Sequence, residues 1–431
     1  MDQSPGRGSK ILYLTYDGLA DPVCRSQVLP YLVRLSAAGH RITVLSCEKP
    51  AALRRDRAEI EAICAAAKID WRPLRYHKWP PILSGAWDAE LLKRAAVRLH
   101  KTVGFDVVHC RSYLPAGVGL ALKRRFGVSF LFDMRGLWPD ERMETGSWPR
   151  SHPLYRLVYA RVKRLESRLL KGADHIICLT NAVEARLREM PGTGSTPISV
   201  IPCCADFDHF PLISEATRAA GRQALDIPAD ANVLAYLGSI ASWYMLEEVM
   251  EFFTVYLARN PSAILLFVTQ APEATILTAA AAQGIDPDRI RVRAASRNEV
   301  PRLMAAADVG IFFVRPIPSS ASRSPVKMGE MMALGLPIVT NAGISDVQEI
   351  VEESRCGVVI RGLAEASFHE AVSDLERLRT SPAEIRARGR LWYDLDEGSR
   401  RYDGIYRALS GRSGSGSGSY PDIVAEASGI S

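Results

Sequence analysis

No apolar run of the sequence reaches the roughly 18 residues that a membrane-crossing helix needs, so no transmembrane helix is expected. The N-terminus is polar and glycine-containing. The apolar stretch after it, Ile11-Leu12-Tyr13-Leu14, is too short for the core of a signal peptide. Cysteine is sparse, and none of the eight makes a Cys-x-x-Cys pair. Most of them sit in apolar runs and read as small buried hydrophobes in a reducing compartment, which argues against a disulfide framework or a zinc site. No Asp-x-Asp lies in a loop suited to a metal. Asp286-Pro287-Asp288 has the letters, but a turn before a strand explains it. A cytoplasmic protein, at most peripheral to the inner face of a membrane, is the expectation.

Charge is unevenly placed. Residues 1–205 carry a net charge of about +13 and the remainder about −7, within an overall +6. The basic half includes Lys123-Arg124-Arg125 and an Arg- and Lys-rich run from Arg150 to Lys171. Two readings stand: solvated helix faces, or attraction to anionic lipid headgroups or an anionic acceptor. Nucleic acid is disfavoured. The basic segments lack interleaved aromatic platforms, and no duplex-reading motif occurs.

Short apolar or β-branched runs alternate with helical periodicity. Strands are expected at Lys10–Tyr16, Arg41–Ser46, Asp106–Cys110, Ser129–Asp133, His175–Leu179 and Ser199–Pro202. After a polar, alanine-rich linker over 211–231, the pattern restarts with Asn232–Leu237, Ala263–Thr269, Ile290–Val292, Val309–Val314, Ile338–Thr340 and Val358–Ile360. Runs of this kind fit strands covered on both faces, and alternation with helices means parallel, doubly wound sheets. The expected fold class is α/β, with two Rossmann-like domains facing across a cleft. The expected parts are an N-terminal Rossmann-like domain over 1–205, a C-terminal one over 206–395, a helix crossing back over 396–410 and a tail over 411–431. Ligands belong at the carboxyl ends of strands that face the cleft.

The most informative stretch is Ser322 to Asn341, Ser-Arg-Ser-Pro-Val-Lys-Met-Gly-Glu-Met-Met-Ala-Leu-Gly-Leu-Pro-Ile-Val-Thr-Asn. It reads as a loop, a short helix with Pro325 in its first turn, a Gly-Leu-Pro stop and a buried strand. Lys327 and Glu330 project from one side of the first turn. A helix N-terminus favours an anion, Lys327 favours a diphosphate, and Glu330 accepts from sugar hydroxyls. Together they suggest a nucleotide-sugar site.

This stretch resembles the donor-binding signature of glycosyltransferase family 4, the retaining GT-B enzymes. Tyr13-Leu14-Thr15-Tyr16-Asp17-Gly18-Leu19 with Ser26–Leu32, Phe132–Trp138, and the junction Val200-Ile201-Pro202-Cys203-Cys204-Ala205-Asp206-Phe207 extend the likeness over about 10–405. The resemblance implies that Glu330 binds ribose and that Lys327 lies at the phosphates. It also implies that Gly238-Ser239 lets backbone approach a phosphate and that Ala295 and Ser296 edge the base. Arg315 and Arg323 are candidate phosphate grips. Trp243 and Tyr244 stand where many relatives carry Arg and Lys, and Ser322 stands where they carry a second acid. On the acceptor side, Asp17 and Gly18 form the first strand-to-helix loop, and Asp133 and Arg135 end a strand at the cleft rim. Arg111 matches the second His of a His-x-His arrangement and His109 the first. Lys327, Arg111, His109 and Asp17 are thus the catalytic candidates. The implied co-substrate is a UDP- or GDP-linked sugar, with no metal and no other cofactor.

From Ser410 the chain turns to alternating Gly and Ser, then to Tyr420–Ser431, a composition foreign to the body and typical of a flexible arm. Ser419, Tyr420, Ser428 and Ser431 would be acceptor hydroxyls if that segment is a tethered peptide. Two acceptor classes remain open, a peptide or protein hydroxyl and a lipid-linked or polysaccharide glycan. A nucleotide-sugar-binding protein without catalysis is the competing class.

Overall fold

The computed structural model describes residues 8–80, 83–190, 193–240 and 243–412. The first domain holds β1 (Lys10–Thr15), β2 (Arg41–Glu48), β3 (Asp70–Arg75), β4 (Val107–Arg111), β5 (Ser129–Asp133), β6 (His175–Cys178) and β7 (Ile198–Val200). They form one sheet in the order β3-β2-β1-β4-β5-β6-β7. The second domain holds β8 (Val233–Leu237), β9 (Ile264–Val268), β10 (Ile290–Arg293), β11 (Val309–Ile311), β12 (Ile338–Asn341) and β13 (Gly357–Ile360), in the order β10-β9-β8-β11-β12-β13. Every strand pair is parallel. This is the two-domain Rossmann-like GT-B fold.

Central strands β4, β5, β8 and β9 are buried along their whole length, β8 and β9 as wholly apolar runs, β5 with polar residues at its ends and β4 with His109 and Arg111 in it. β3 was not expected. Its sequence Asp-Trp-Arg-Pro-Leu-Arg is charged, carries Pro73 and lies half-exposed at the sheet edge, where such a strand resists pairing with other chains. The linker also hides a helix, Glu215–Gln223, started by a capping box between Ser214 and Thr217. Where one closing helix was expected, there are two, Pro382–Tyr393 and Leu395–Arg412, separated by Asp394 in an extended conformation.

That break is the second crossing between domains. The Ala205 N–H donates to the Tyr393 carbonyl at 2.8 Å, and the Leu395 N–H donates back to the Ala205 carbonyl at 3.2 Å. Both connections are thus tied to one another at a single point. Leu395–Arg412 then packs against the helix Leu29–Ala37 of the first domain. The helix that begins the signature stretch, Val326–Leu334, leans on this crossing through Gly329. A Cβ at Gly329 would lie 3.0 Å from Tyr393 Cβ and 3.2 Å from Ala205 Cβ. A larger side chain there has to push the crossing away from the helix. Gly329→Val is expected to lower stability by about 1–3 kcal/mol, read as a lower urea-denaturation midpoint. An unchanged midpoint would mean that the crossing yields freely.

Candidate active site

The carboxyl ends of β8 and β11 and the N-terminus of Val326–Leu334 meet at the cleft. Pro325 is the cap of that helix rather than its first helical residue, and Gly335 ends it at φ +80°. Lys327 is buried, and its Nζ lies 4.1 Å from the ring centre of Tyr236 and 3.7 Å from that of Tyr244. It has no hydrogen-bond partner among the described residues. Burial holds its ammonium well below the usual lysine range. The amine faces Gly238 (φ +96°), where a Cβ would come within 3.7 Å of Nζ. Backbone and cation therefore share one small space at the end of β8, a setting that suits an anion.

Tyr244 reaches the lysine because residues 243–245 fold back beside the continuation of β11. Tyr244 bridges antiparallel to Val314, and the Arg315 N–H donates to the Trp243 carbonyl at 2.8 Å. Trp243 and Tyr244 thus each have a physical role. Tyr244 faces the Lys327 cation, and Trp243 lies under the Arg323 guanidinium at 4.6 Å.

Glu330, one turn on, accepts from Arg297 Nη1 at 3.2 Å. Burial raises its carboxyl above the ordinary range against the pull of Arg297. Arg297 was missed in the sequence, although it directly follows Ser296. It is held over Phe210 at 5.6 Å, and its carbonyl contacts His209 Nε2 at 3.1 Å. The Ala295 carbonyl accepts from Gln270, the Ser296 hydroxyl donates to Glu299, and the Ser239 carbonyl accepts from the Tyr236 hydroxyl. Arg315 is exposed at the rim.

Arg323 and Ser322 have other partners than a free cleft would give them. Arg323 pairs across the cleft with Glu141 at 3.3 Å. The Ser322 hydroxyl accepts from the Leu137 N–H at 3.1 Å and donates to the Ser319 carbonyl at 2.7 Å. The Ser319 N–H in turn donates to Glu144, and Thr180 donates to the Ala321 carbonyl. The segment 318–322 therefore joins the two domains. The serine that replaces an acid of the relatives is a buried strut between them.

In the first domain, a Cβ at Gly18 would come within 2.3 Å of Glu48 Oε2, because Glu48 accepts from the N–H groups of Leu19 and Ala20. Asp17 beside it is half-exposed, with Oδ2 3.8 Å from Arg111 Nε. Arg111 is itself buried, and its Nε and Nη1 have no hydrogen-bond partner among the described residues. Asp133 is buried among Arg135 (3.5 Å), His109 (3.3 Å) and Arg111 (4.0 Å). Burial alone would raise its carboxyl, but Arg135, His109 and Arg111 outweigh it and hold the group at about 2. Arg135 also reaches Cys203 Sγ at 3.2 Å.

His109, one of the catalytic candidates, lies buried in β4. Its Nδ1 contacts the Tyr406 hydroxyl at 2.7 Å, its Nε2 contacts Asp133, and its ring lies between Tyr13 and Tyr402. Burial lowers its imidazole below the usual range. It is a core residue that fastens the last helix to β4 and supports Asp133. Ser419, Tyr420, Ser428 and Ser431 lie outside the described residues. Among the described residues, no group of His, Cys, Asp or Glu is arranged to hold a metal.

The family model for Glycosyltransferase Family 4 matches residues 29–209, and that for Glycosyl transferases group 1 matches residues 231–377. The chain belongs to glycosyltransferase family 4. One relative is D-inositol 3-phosphate glycosyltransferase 2 of Catenulispora acidiphila, 23% identical over 64% of this chain and 64% of the relative. The match thus spans just under two thirds of that protein's length. Among solved structures, sucrose-phosphate synthase from Thermosynechococcus elongatus superposes with a TM-score of 0.71 at 17% identity, covering 93% of this chain and 99% of that one. Anabaena HepE, solved with UDP-glucose, gives 0.68 at 15% identity over 93% and 100%. These likenesses carry the GT-B fold of this family 4 member.

Proposed function

We propose that this family 4 chain is a retaining glycosyltransferase that moves a sugar from a nucleotide-diphosphate sugar to a carbohydrate hydroxyl. The observation that carries the reading is the buried, unpartnered Lys327 ammonium, which faces Gly238 from the first turn of the signature helix. In this reading Lys327 and the Gly238-Ser239 backbone hold the diphosphate, with Arg315 and Arg323 at its rim. Glu330, oriented by Arg297, takes the ribose, and Ala295 and Ser296 edge the base. Asp17, Gly18, Asp133 and Arg135 form the acceptor side, and Arg111 reaches toward the reacting centre from the same end of the sheet.

The bond between the anomeric carbon and the diphosphate breaks, and the acceptor oxygen bonds to that carbon on the same face. The acceptor proton passes to the departing phosphate oxygen. The protein's share is charge and positioning, and no covalent protein nucleophile is required. A cell-surface glycan or its lipid-linked precursor fits best as acceptor. Beside Asp17 and Asp133, Arg111 Nε and Nη1 have no hydrogen-bond partners among the described residues and offer donors to a substrate that carries phosphate. The names of the relatives also specify sugar and polyol phosphates.

A panel of UDP- and GDP-sugars, read for slow donor hydrolysis, tests the activity. Binding without turnover, with acceptor present, would instead favour a nucleotide-sugar-binding protein. Neither binding nor turnover of any donor would remove the reading. A second acceptor reading rests on the Gly/Ser arm and the segment after it. A gain of one sugar mass at Ser419, Tyr420, Ser428 or Ser431 would support a peptide acceptor. Glu330→Gln is expected to raise the donor dissociation constant by about 1.5–3 kcal/mol, roughly 10- to 150-fold, because a charge-assisted hydrogen bond to ribose is lost. Titration calorimetry measures it, and unchanged affinity would displace the ribose from Glu330.

A further inference from the structure

Three helices cover one face of the first sheet: Leu83–Val103, Tyr113–Phe126 and Pro153–Gly172. The middle one packs against both of the others and is largely buried, so the outer two form the surface. In right-handed parallel crossovers, helices start at the carboxyl ends of strands and run back. The first turns of both outer helices therefore lie at the cleft end of the sheet.

At that end the surface is apolar. Trp79 is 78% exposed, Leu83 67%, Trp87 56%, Leu154 49% and Leu157 47%. Farther along it is basic. In Pro153–Gly172 the residues Leu154, Leu157, Arg161, Arg164, Arg168 and Lys171 follow one another at spacings of three and four, which makes a single stripe. None of these four cations forms an ion pair among the described residues. The one acid of the helix, Glu166, points inward to Tyr113 and Lys163. The other helix has a similar order, with Leu83 and Trp87 first, Arg94 paired to Glu90 in the middle, and Arg98 and Lys101 behind without ion pairs among the described residues.

We propose that this face docks on an anionic lipid bilayer. Trp79, Leu83, Trp87, Leu154 and Leu157 enter the interface, and the unpaired cations meet lipid phosphates. A polyanion in solution would use the cations but gives no role to two exposed tryptophans and three leucines. A bilayer uses both, since tryptophan favours the headgroup level and amphipathic basic helices lie in the interface plane. The docked face sets the cleft mouth at the membrane, where a lipid-linked acceptor presents its hydroxyl. The inference deepens the acceptor reading above and rests on it for that last step alone.

Co-sedimentation with phosphatidylcholine vesicles, with and without phosphatidylglycerol, tests it in the absence of nucleotide sugar. Binding to the anionic vesicles that falls as salt is raised is expected. Arg161→Gln/Arg164→Gln/Arg168→Gln should weaken it on the order of 100-fold, at roughly fivefold for each cation near an anionic surface. Leu83→Ser/Trp87→Ser should weaken it at least about tenfold by removing inserted apolar area. Both variants should keep wild-type donor hydrolysis and circular dichroism, which separates loss of docking from loss of fold. Absence of vesicle binding overturns the proposal, and so does binding that neither variant reduces. Binding to heparin or single-stranded DNA without vesicle binding also overturns it, in favour of a soluble polyanion. Because vesicle binding and donor hydrolysis are read separately, failure of one leaves the other standing.

Discussion

Lys327→Met slows turnover by roughly 2–4 kcal/mol of barrier, about 30- to 1000-fold in kcat, while donor affinity changes less. Methionine keeps an unbranched chain between Tyr236 and Tyr244, so packing survives and the charge does not. In the proposed site the ammonium faces the leaving diphosphate as it gathers charge, which places its largest contribution in the transition state. Burial lowers its pKa well below the usual value, with only the more distant Glu330 opposing. The sign follows directly. Above the lowered pKa the free enzyme holds a neutral amine, and a bound diphosphate restores the proton. Donor affinity should therefore fall as pH rises through that pKa, and binding should take up a proton there. Calorimetry in buffers of different ionisation heat reads the uptake, which Lys327→Met should abolish. Wild-type kcat together with unchanged proton uptake would mean that the diphosphate lies elsewhere.

The same lysine marks how far the sequence could be read. Its place in a helix first turn, beside Glu330 and before the Gly335 stop, was legible from spacing and capping alone. What stabilises it was not. Tyr236 and Tyr244 are eight residues apart and belong to a strand and to a loop that folds back on β11, so their meeting with Lys327 is a tertiary fact. Arg297 was hidden for the same reason, as its pairing with Glu330 joins a loop to the signature helix. The central strands were legible because burial on both faces leaves mainly apolar runs. β3 was not, because an edge strand is written in the composition of a loop. Ser322 was read as the absence of an acid, yet its meaning is the hydrogen bond to Leu137 across the cleft. His109 was read from a strand-end pattern shared by catalytic and core histidines. The approach of Tyr406 to it from the far end of the chain was not legible.

That approach leads to the second large effect, at Asp133. Asp133→Asn should destabilise the protein by about 3–5 kcal/mol, because the buried guanidiniums of Arg111 and Arg135 lose their shared carboxylate while remaining charged. The amide also contacts His109 and Tyr402 without supplying the negative charge that both arginines face. The acid limb of stability gives an independent check. The carboxyl titrates at about 2 in the folded chain against an ordinary 3.8, so its contribution is full above 3.8. It is lost as pH falls from there through 2, and it amounts to about 2 kcal/mol. Urea-denaturation midpoints followed downward from neutral pH should therefore fall less steeply in Asp133→Asn than in the wild type over that window. A second variant, Asp133→Asn/Arg135→Met, separates charge from packing. If the uncompensated cations cause the loss, removing one of them restores part of the stability. If the double variant is less stable than the single by the full cost of losing Arg135, the two residues act independently and Asp133 does not hold the arginines in place.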